Sequence, residues 1–422
     1  MMKVFKKSML AAALLTGFSA YAAPIAITNA TVYTANEQGI LKNATVVMDE
    51  GKIIAINPES HNATQVIDAN GRILSPGIIS TMNQLGLVEV GAVAASRDAG
   101  DKKADITFDA SLAYNPRSSL IAYARKGGIT RDLVIPTGGE DIFAGLGFVV
   151  DLSGEFDSVL TKEAAVVVSL GERSSGSRAY SLQTLIDTLD GQVKKLAKAE
   201  KASKKTKKDD KADKEDKEPS KSEKLLTAVL KGEKPLVVYV SRAADMLELI
   251  KVKQQFNVNM VFVGAHDATL IKQQLVDAKV PVVLSVVANL PGSFDSLHSS
   301  LTTAGELEKA GAKVLLTIGG DASHNMYQLR YDTGIAVANG MSAQGALKAI
   351  TANVAEVFGI NAGEVAVGKA ADLVLWSADP FELSSKVDQM WIGGKEYTTE
   401  SRQDKLAERY IKQSAMPRAY TK

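Results

Sequence analysis

The sequence predicts an α/β chain: a (β/α)8 barrel of the TIM type, with a small β-sandwich assembled from both chain ends. Three observations predict it. Eight compact β-branched runs fill the middle of the chain, several of them alternate with helical patterns, and short strands with turn residues occupy both ends. Continuous apolar runs are expected of parallel strands buried on both faces. Alternation with helices wraps such strands into an α/β layer structure. An open doubly wound sheet is the alternative, but no GxGxxG follows any strand.

The elements follow in order. MMKVFKKS is basic, MLAAALLTGFSA is apolar, and Ala20-Tyr21-Ala22 offers small residues for cleavage. This reads as a signal peptide over residues 1–22, cut after Ala22, because the run is too short to span a bilayer. The expected location is therefore periplasmic or secreted. Residues 23–75 give short strands: "ATVVMDEGKIIAI" alternates on either side of an Asp-Glu-Gly corner, as a β-hairpin does. Residues 76–360 hold the barrel runs "PGIIST", "GGITRDLVIP", "GFVVDLSG", "EAAVVVSLGE", "KPLVVYVSRA", "VNMVFVGAH", "VPVVLSVVA" and "AKVLLTIGGD". The run "FVVDLSG" also fits a hairpin insertion. Residues 361–405 return to short strands and complete the terminal domain, and 406–422 form a tail.

Within the barrel, Lys194 to Lys224 carries thirteen lysines against eight acids and lacks aromatic or β-branched apolar residues. Such a stretch cannot offset its ordering entropy by burial, so a solvated, disordered insertion is expected, with fluctuating helix at its start and a stop at Pro219. Its positive excess also suits an arm for an anionic surface. The formal net charge of +1 hides this segment and the leader lysines Lys3, Lys6 and Lys7, so the remaining body is acidic. General nucleic-acid binding is thereby disfavoured. The absence of cysteine excludes a disulfide framework, thiolate chemistry and a Cys-based zinc site.

In a barrel of this type the chemistry sits where strands end. Those ends offer Met82, Gln84, Glu172, Ser241, Arg242, His266, Asp321 and His324. The stretches "GRILSPGIIS", "YNPRSSLIAYARKGGITRDLVIPTGG", "GGDASHNMYQLRYDTGIAVANGMSAQGALKAITANVAEVFGI" and "GEVAVGKAADLVLWSADPFE" together resemble the amidohydrolase superfamily, and most of all its exported, imidazolonepropionase-like branch. The resemblance spans the chain apart from its leader and the lysine-rich insertion. It implies hydrolysis of non-peptide C–N bonds by one or two divalent metals, commonly zinc, that acidify a bound water and polarise the attacked carbon. It also implies a ligand set: His-x-His ending the first strand, a mid-barrel Lys or Glu, a His after each of two later strands, and an Asp after the last.

Set against that pattern, the first strand carries Met82-Asn83-Gln84 in place of His-x-His. A thioether and an amide are poor substitutes for two imidazoles on a borderline cation. Ser241 stands where the next histidine is expected, and the following position falls on Gly264, with His266 two residues later. His266 is read either as a displaced ligand or as a helix-capping loop residue. Asp321 fits the last position as ligand and proton shuttle, and Glu172 fits the mid-barrel carboxylate or a solvated loop. The expectation is no metal or weakly bound zinc, with metal-dependent activity lost or much reduced. The alternatives are an active hydrolase with an altered one-metal site and a non-catalytic ligand-binding protein or partner subunit. The remaining mouth residues Gln84, Asn115, Arg117, Arg242, Asp321, His324, Asn325 and Arg330 suggest a pocket for a small amide, lactam or carboxylate, with Arg242 or Arg330 on the anion. Ion pairs and caps are the competing reading for each residue. A homo-oligomer or a complex with an active homologue is the expected assembly.

Overall fold

The computed structural model describes residues 24–171, 176–206, 218–318 and 323–411. The proposed leader therefore lies outside the described residues. From the amino end, strands β1 (Ile25–Tyr33), β2 (Ile40–Asp49), β3 (Lys52–Ile56), β4 (Gln65–Asp68) and β5 (Ile73–Pro76) begin the first sheet. The β2–β3 hairpin turns at Glu50-Gly51, and both residues have positive φ, as a tight hairpin turn demands.

The barrel follows. It runs through β6 (Ile78–Asn83), α1 (Ser119–Arg125), β7 (Ile129–Val134), β8 (Phe143–Asp151), β9 (Val159–Ser169), α2 (Arg178–Thr206), α3 (Lys221–Leu230), β10 (Leu236–Val240) and α4 (Ala243–Phe256). It continues through β11 (Met260–Gly264), α5 (Lys272–Asp277), β12 (Val282–Ser285), α6 (Thr303–Lys309), β13 (Val314–Thr317), α7 (Leu329–Ala338), α8 (Ala343–Ala349) and α9 (Ala352–Phe358). Strands β14 (Leu373–Trp376), β15 (Val387–Ile392) and β16 (Lys395–Glu396) return to the first sheet, and α10 (Arg402–Ile411) ends the described chain.

Strands from both chain ends form one sheet in the order β16-β15-β14-β5-β1-β2-β3, with β4 beside β1. Its seam is β14 against β5, antiparallel, with Leu373 opposite Pro76. There the buried indole of Trp376 donates to Ser75 Oγ at 2.9 Å. Its core packs Ile27, Val32, Val46, Leu74, Leu373 and Trp391.

The second sheet has eight strands in the order β13-β12-β11-β10-β9-β8-β7-β6 and is nearly closed, since Thr317 Oγ1 of β13 donates to the Thr81 carbonyl of β6 at 2.5 Å. All eight runs expected from the sequence are its strands. Period-two alternation sorts their side chains. Ile79, Leu133, Val167, Val237, Val261, Val283 and Leu315 fill the interior, while Ile78, Val168, Val238, Phe262, Val282 and Leu316 join the core beneath the helices.

Two expectations need correction. Strict strand–helix repetition fails at β8, which runs antiparallel to both β7 and β9. The run "FVVDLSG" is thus a hairpin strand that nevertheless completes the barrel sheet. Antiparallel neighbours need only a short turn, so no crossover helix is required there. Residues 207–217 of the lysine-rich insertion lie outside the described residues, and its two described edges are helical. Helix α2 continues to Thr206, and Lys221–Lys224 opens α3 behind a Ser220–Glu223 capping box that follows Pro219. Gln192 Nε2 donates to Thr227 Oγ1 at 2.9 Å, and Lys195 pairs with Glu223 at 2.8 Å, so the two helices lean on each other up to this level.

Candidate ligand site at the barrel mouth

At the end of β6 the backbone does something unusual. Two residues of β6 oppose one of β7 between Thr81/Leu133 and Asn83/Val134, and the extra residue, Met82, has φ of 58°. This is a β-bulge at a site rim, in a left-handed conformation costly for a side chain of this size. The bulge is pinned from the outer face. Asn83 Nδ2 and Ser80 Oγ both donate to Asp132 Oδ1, at 2.7 and 2.8 Å, and Asn83 Oδ1 accepts the Leu85 N–H at 2.8 Å. Asp132 is fully buried and its Oδ2 has no partner, so burial pushes its pKa up to about 7 against the lowering effect of those two donors.

Met82 itself is 3% exposed and packs with the aliphatic interior of the barrel. Gln84 is buried, and its backbone N–H donates to Ser323 Oγ at 3.1 Å, which ties the first strand to the segment after β13. Asp321 and Glu172 lie outside the described residues.

The other residues expected at the mouth do not converge. Ser241 follows β10 and its carbonyl accepts the Asp267 N–H. His266 Nδ1 lies 2.8 Å from Ser299 Oγ, and the helix-capping role falls to its neighbour: Asp267 Oδ2 accepts the Ala243 N–H at the start of α4. Asp267 Oδ1 in turn holds His298 Nδ1 at 2.7 Å. His324 is exposed. Asn115 reaches Glu89, while Arg117 is 3.9 Å from Glu155 and 5.3 Å from the Phe156 ring centre.

Arg330 requires the clearest correction. Its guanidinium is buried, donating to the carbonyls of Pro380, Glu382 and Ser385 and to Tyr331 Oη at 2.6–2.9 Å, and it stacks 4.0 Å from the Tyr331 ring centre. It ties α7 to the segment after β14 and is not available to a ligand.

Arg242 is different. It is about two-fifths exposed, stands 3.8 Å from Asp245, and borders a cavity of about 320 Å³ between α2 and α4. Leu170, Leu182 and Leu249 give this cavity an apolar floor, and Arg178, Arg242 and Asp245 line its polar side. Arg178 was not singled out by sequence because it falls outside any strand end. It pairs with Asp295 at 2.5 Å and lies 3.8 Å from Asp245. The volume lies in the range of small-molecule sites, about 300–1,000 Å³, and two guanidinium groups over an apolar floor suit a carboxylate with a hydrophobic body.

For a divalent metal the described residues offer no comparable set. Among the described residues no three His, Asp or Glu side chains stand together as a ligand group. Of the four histidines in the chain, His61 belongs to the terminal sheet region, His298 and His324 are exposed, and His266 is held by Ser299. The described residues thus do not fit the zinc arrangement that the resemblance implies.

Residues 208–397 match the model of the amidohydrolase family. Among solved structures, an amidohydrolase from Thermotoga maritima MSB8 is similar with a TM-score of 0.79 and 24% identity, over 89% of this chain and 99% of that one. A prolidase complexed with N-methylphosphonate-L-proline aligns with a TM-score of 0.55 and 15% identity, over 89% and 99%. An adenosine deaminase from Xanthomonas campestris with bound zinc gives 0.52 and 16%, over 88% and 92%. No curated protein matches the chain.

Proposed function

We propose that the chain is a member of the amidohydrolase superfamily, supported by the family match over residues 208–397, that it keeps the barrel of a C–N hydrolase with metal-dependent turnover lost or much reduced, and that it binds a small carboxylate-bearing molecule in the cavity between α2 and α4 at the rim of the barrel. The observation that carries this reading is Met82. Where the resemblance implies a metal-binding imidazole, the chain holds a thioether buried among aliphatic side chains, on a bulge at the strand end. Soft thioether sulfur does not replace nitrogen on zinc. Gln84 and Ser241 weaken the site at two further implied positions.

The binding half of the reading rests on Arg242 and the cavity beside it. A guanidinium that is half in water and only loosely paired retains donors for an incoming carboxylate, and the leucine floor selects for an apolar body. By the same reading, export to the periplasm or the cell exterior and pairing with a metal-loaded homologue remain part of the proposal. They follow from the leader sequence and the missing ligands.

Two measurements on the purified full chain test it. After equilibration with zinc or manganese, metal content well below one per chain and no turnover on acyl-dipeptides, lactams or imidazolones is the expected result. Near-stoichiometric metal and turnover that both vanish in Asp321→Ala would overturn it. Titration with N-acyl amino acids by calorimetry should give binding that weakens about tenfold or more in Arg242→Ala, the scale of one charge-assisted contact. Equal binding by the variant sinks the assignment of the cavity.

A further inference from the structure

Between β12 and α6 the chain does not turn directly back. Residues 286–302 leave the end of β12, touch His266 and Asp267 after β11, and bring Asp295 to Gly171 after β9 and to Arg178 at the start of α2. There Arg178 Nη2 donates to Asp295 Oδ2 at 2.5 Å, and that carboxylate is nearly buried. The same oxygen lies 3.8 Å from the place a Cβ on Gly171 would occupy. Closer to its base the segment is held twice more, by His298 on Asp267 and by Ser299 on His266. His266 and His298 are thus contacts between loops.

The fit beneath is tight. Where the base of this segment meets β11, β12 and α6, a cavity of only about 20 Å³ remains, lined by Gly264, His266, Ser285, Ala288, Ser299 and Ala304. That is room for about one water, far below the roughly 300 Å³ that a small ligand needs. Beyond Val286, which is buried in the main core at its base, hydrophobic burial does little to keep the segment there. Val287, Leu290, Phe294 and Leu297 are 43%, 80%, 91% and 58% exposed. A segment with few buried apolar contacts opens at low free-energy cost, and what holds it is the set of polar contacts on its inner side.

We propose that residues 286–302 form a lid over the barrel mouth and that the Arg178–Asp295 pair is its latch. The lid stands or fails independently of the ligand reading. The two are connected only in that Arg178 also lines the cavity beside Arg242, so an anion bound there competes with Asp295 for one guanidinium. Closed, the segment seals the inner ends of β9 to β12; released, it exposes them.

Because the chain has no cysteine, a single introduced thiol reports opening without background. Ser169→Cys places it at the mouth end of β9, where Ser169 is 7% exposed, and Ser158→Cys places a second probe just before the same strand begins, at the far end of the barrel. Labelling by a small uncharged maleimide is then followed in each background. The Asp295→Asn and Arg178→Gln variants should each raise the rate at position 169 about tenfold, as loss of a charge-assisted hydrogen bond implies, with position 158 unchanged. Unchanged labelling at 169 in both variants would overturn the lid. A parallel rise at 169 and 158 would also overturn it, because it would show general loosening instead of local opening.

Discussion

At the scale of single residues, Asp132 shows how the outer layer of the barrel sets the geometry of its mouth. Its carboxylate holds Ser80 and Asn83, and those two fix the strand on either side of the Met82 bulge. Its folded pKa of about 7 stands above the ordinary value near 3.9. Between about pH 4 and 7 the folded state therefore keeps a proton that the unfolded chain has released. Stability contributed by this group is fully present below that window, falls as pH rises through it, and is flat above pH 7. The slope is on the order of 1.4 kcal/mol per pH unit at most. Asp132→Asn mimics the protonated form, so urea midpoints should show it more stable than the parent at pH 8 and nearly equal at pH 4. A weaker slope persists in the variant because burial raises Asp151 in the same direction. An unchanged pH profile in the variant would show that Asp132 is ionised throughout.

At the scale of elements, the contrast between α2 and α3 is instructive. Helix α3 is short but has a capping box, with Ser220 Oγ accepting the Glu223 N–H and Glu223 accepting the Ser220 N–H, and it buries Leu225, Leu226 and Val229. Ser220→Ala should therefore cost about 1 kcal/mol of stability, read as a shift in urea midpoint with unchanged slope. A shift near zero would mean that packing alone sets the start of α3. Much of the element list was legible because β-branched runs announce buried strands whatever their neighbours. Direction was not: Gly147, Phe148, Val149 and Val150 have the same composition whether β8 runs parallel or antiparallel, and only the length of the connections separates the two. The mouth was less legible still. Arg242 and Arg330 are the same residue type near comparable strand ends, yet one borders a cavity and the other is enclosed by three carbonyls contributed from some fifty residues away in sequence. No local pattern encodes that difference. Met82 and Gln84, by contrast, were informative as they stood, because their side-chain chemistry fails on zinc in any conformation.

At the scale of the whole molecule, barrel and terminal sheet are joined by a charged contact. Arg131, on the inner side of β7, pairs through Nε with Asp372, just before β14, and Asp372 Oδ1 also accepts the Gly393 N–H at 2.7 Å. Both partners are largely withdrawn from water. Removing one leaves the other buried without its counter-charge, so Asp372→Ala should destabilise the protein by about 3–5 kcal/mol in denaturant titration. A loss below about 1 kcal/mol would mean that solvent reaches Arg131 and that apolar packing alone holds the two parts together. The seam between β5 and β14 has a further consequence during synthesis. Ser75 leaves the ribosome some three hundred residues before Trp376, its hydrogen-bond partner. For that interval Leu74 and Val32 border an unpaired strand edge, the kind of surface on which chains associate with one another. Strands β14 to β16 thus act as a late-arriving intramolecular cover, and the sheet begun by β1 to β5 is among the last parts to be completed.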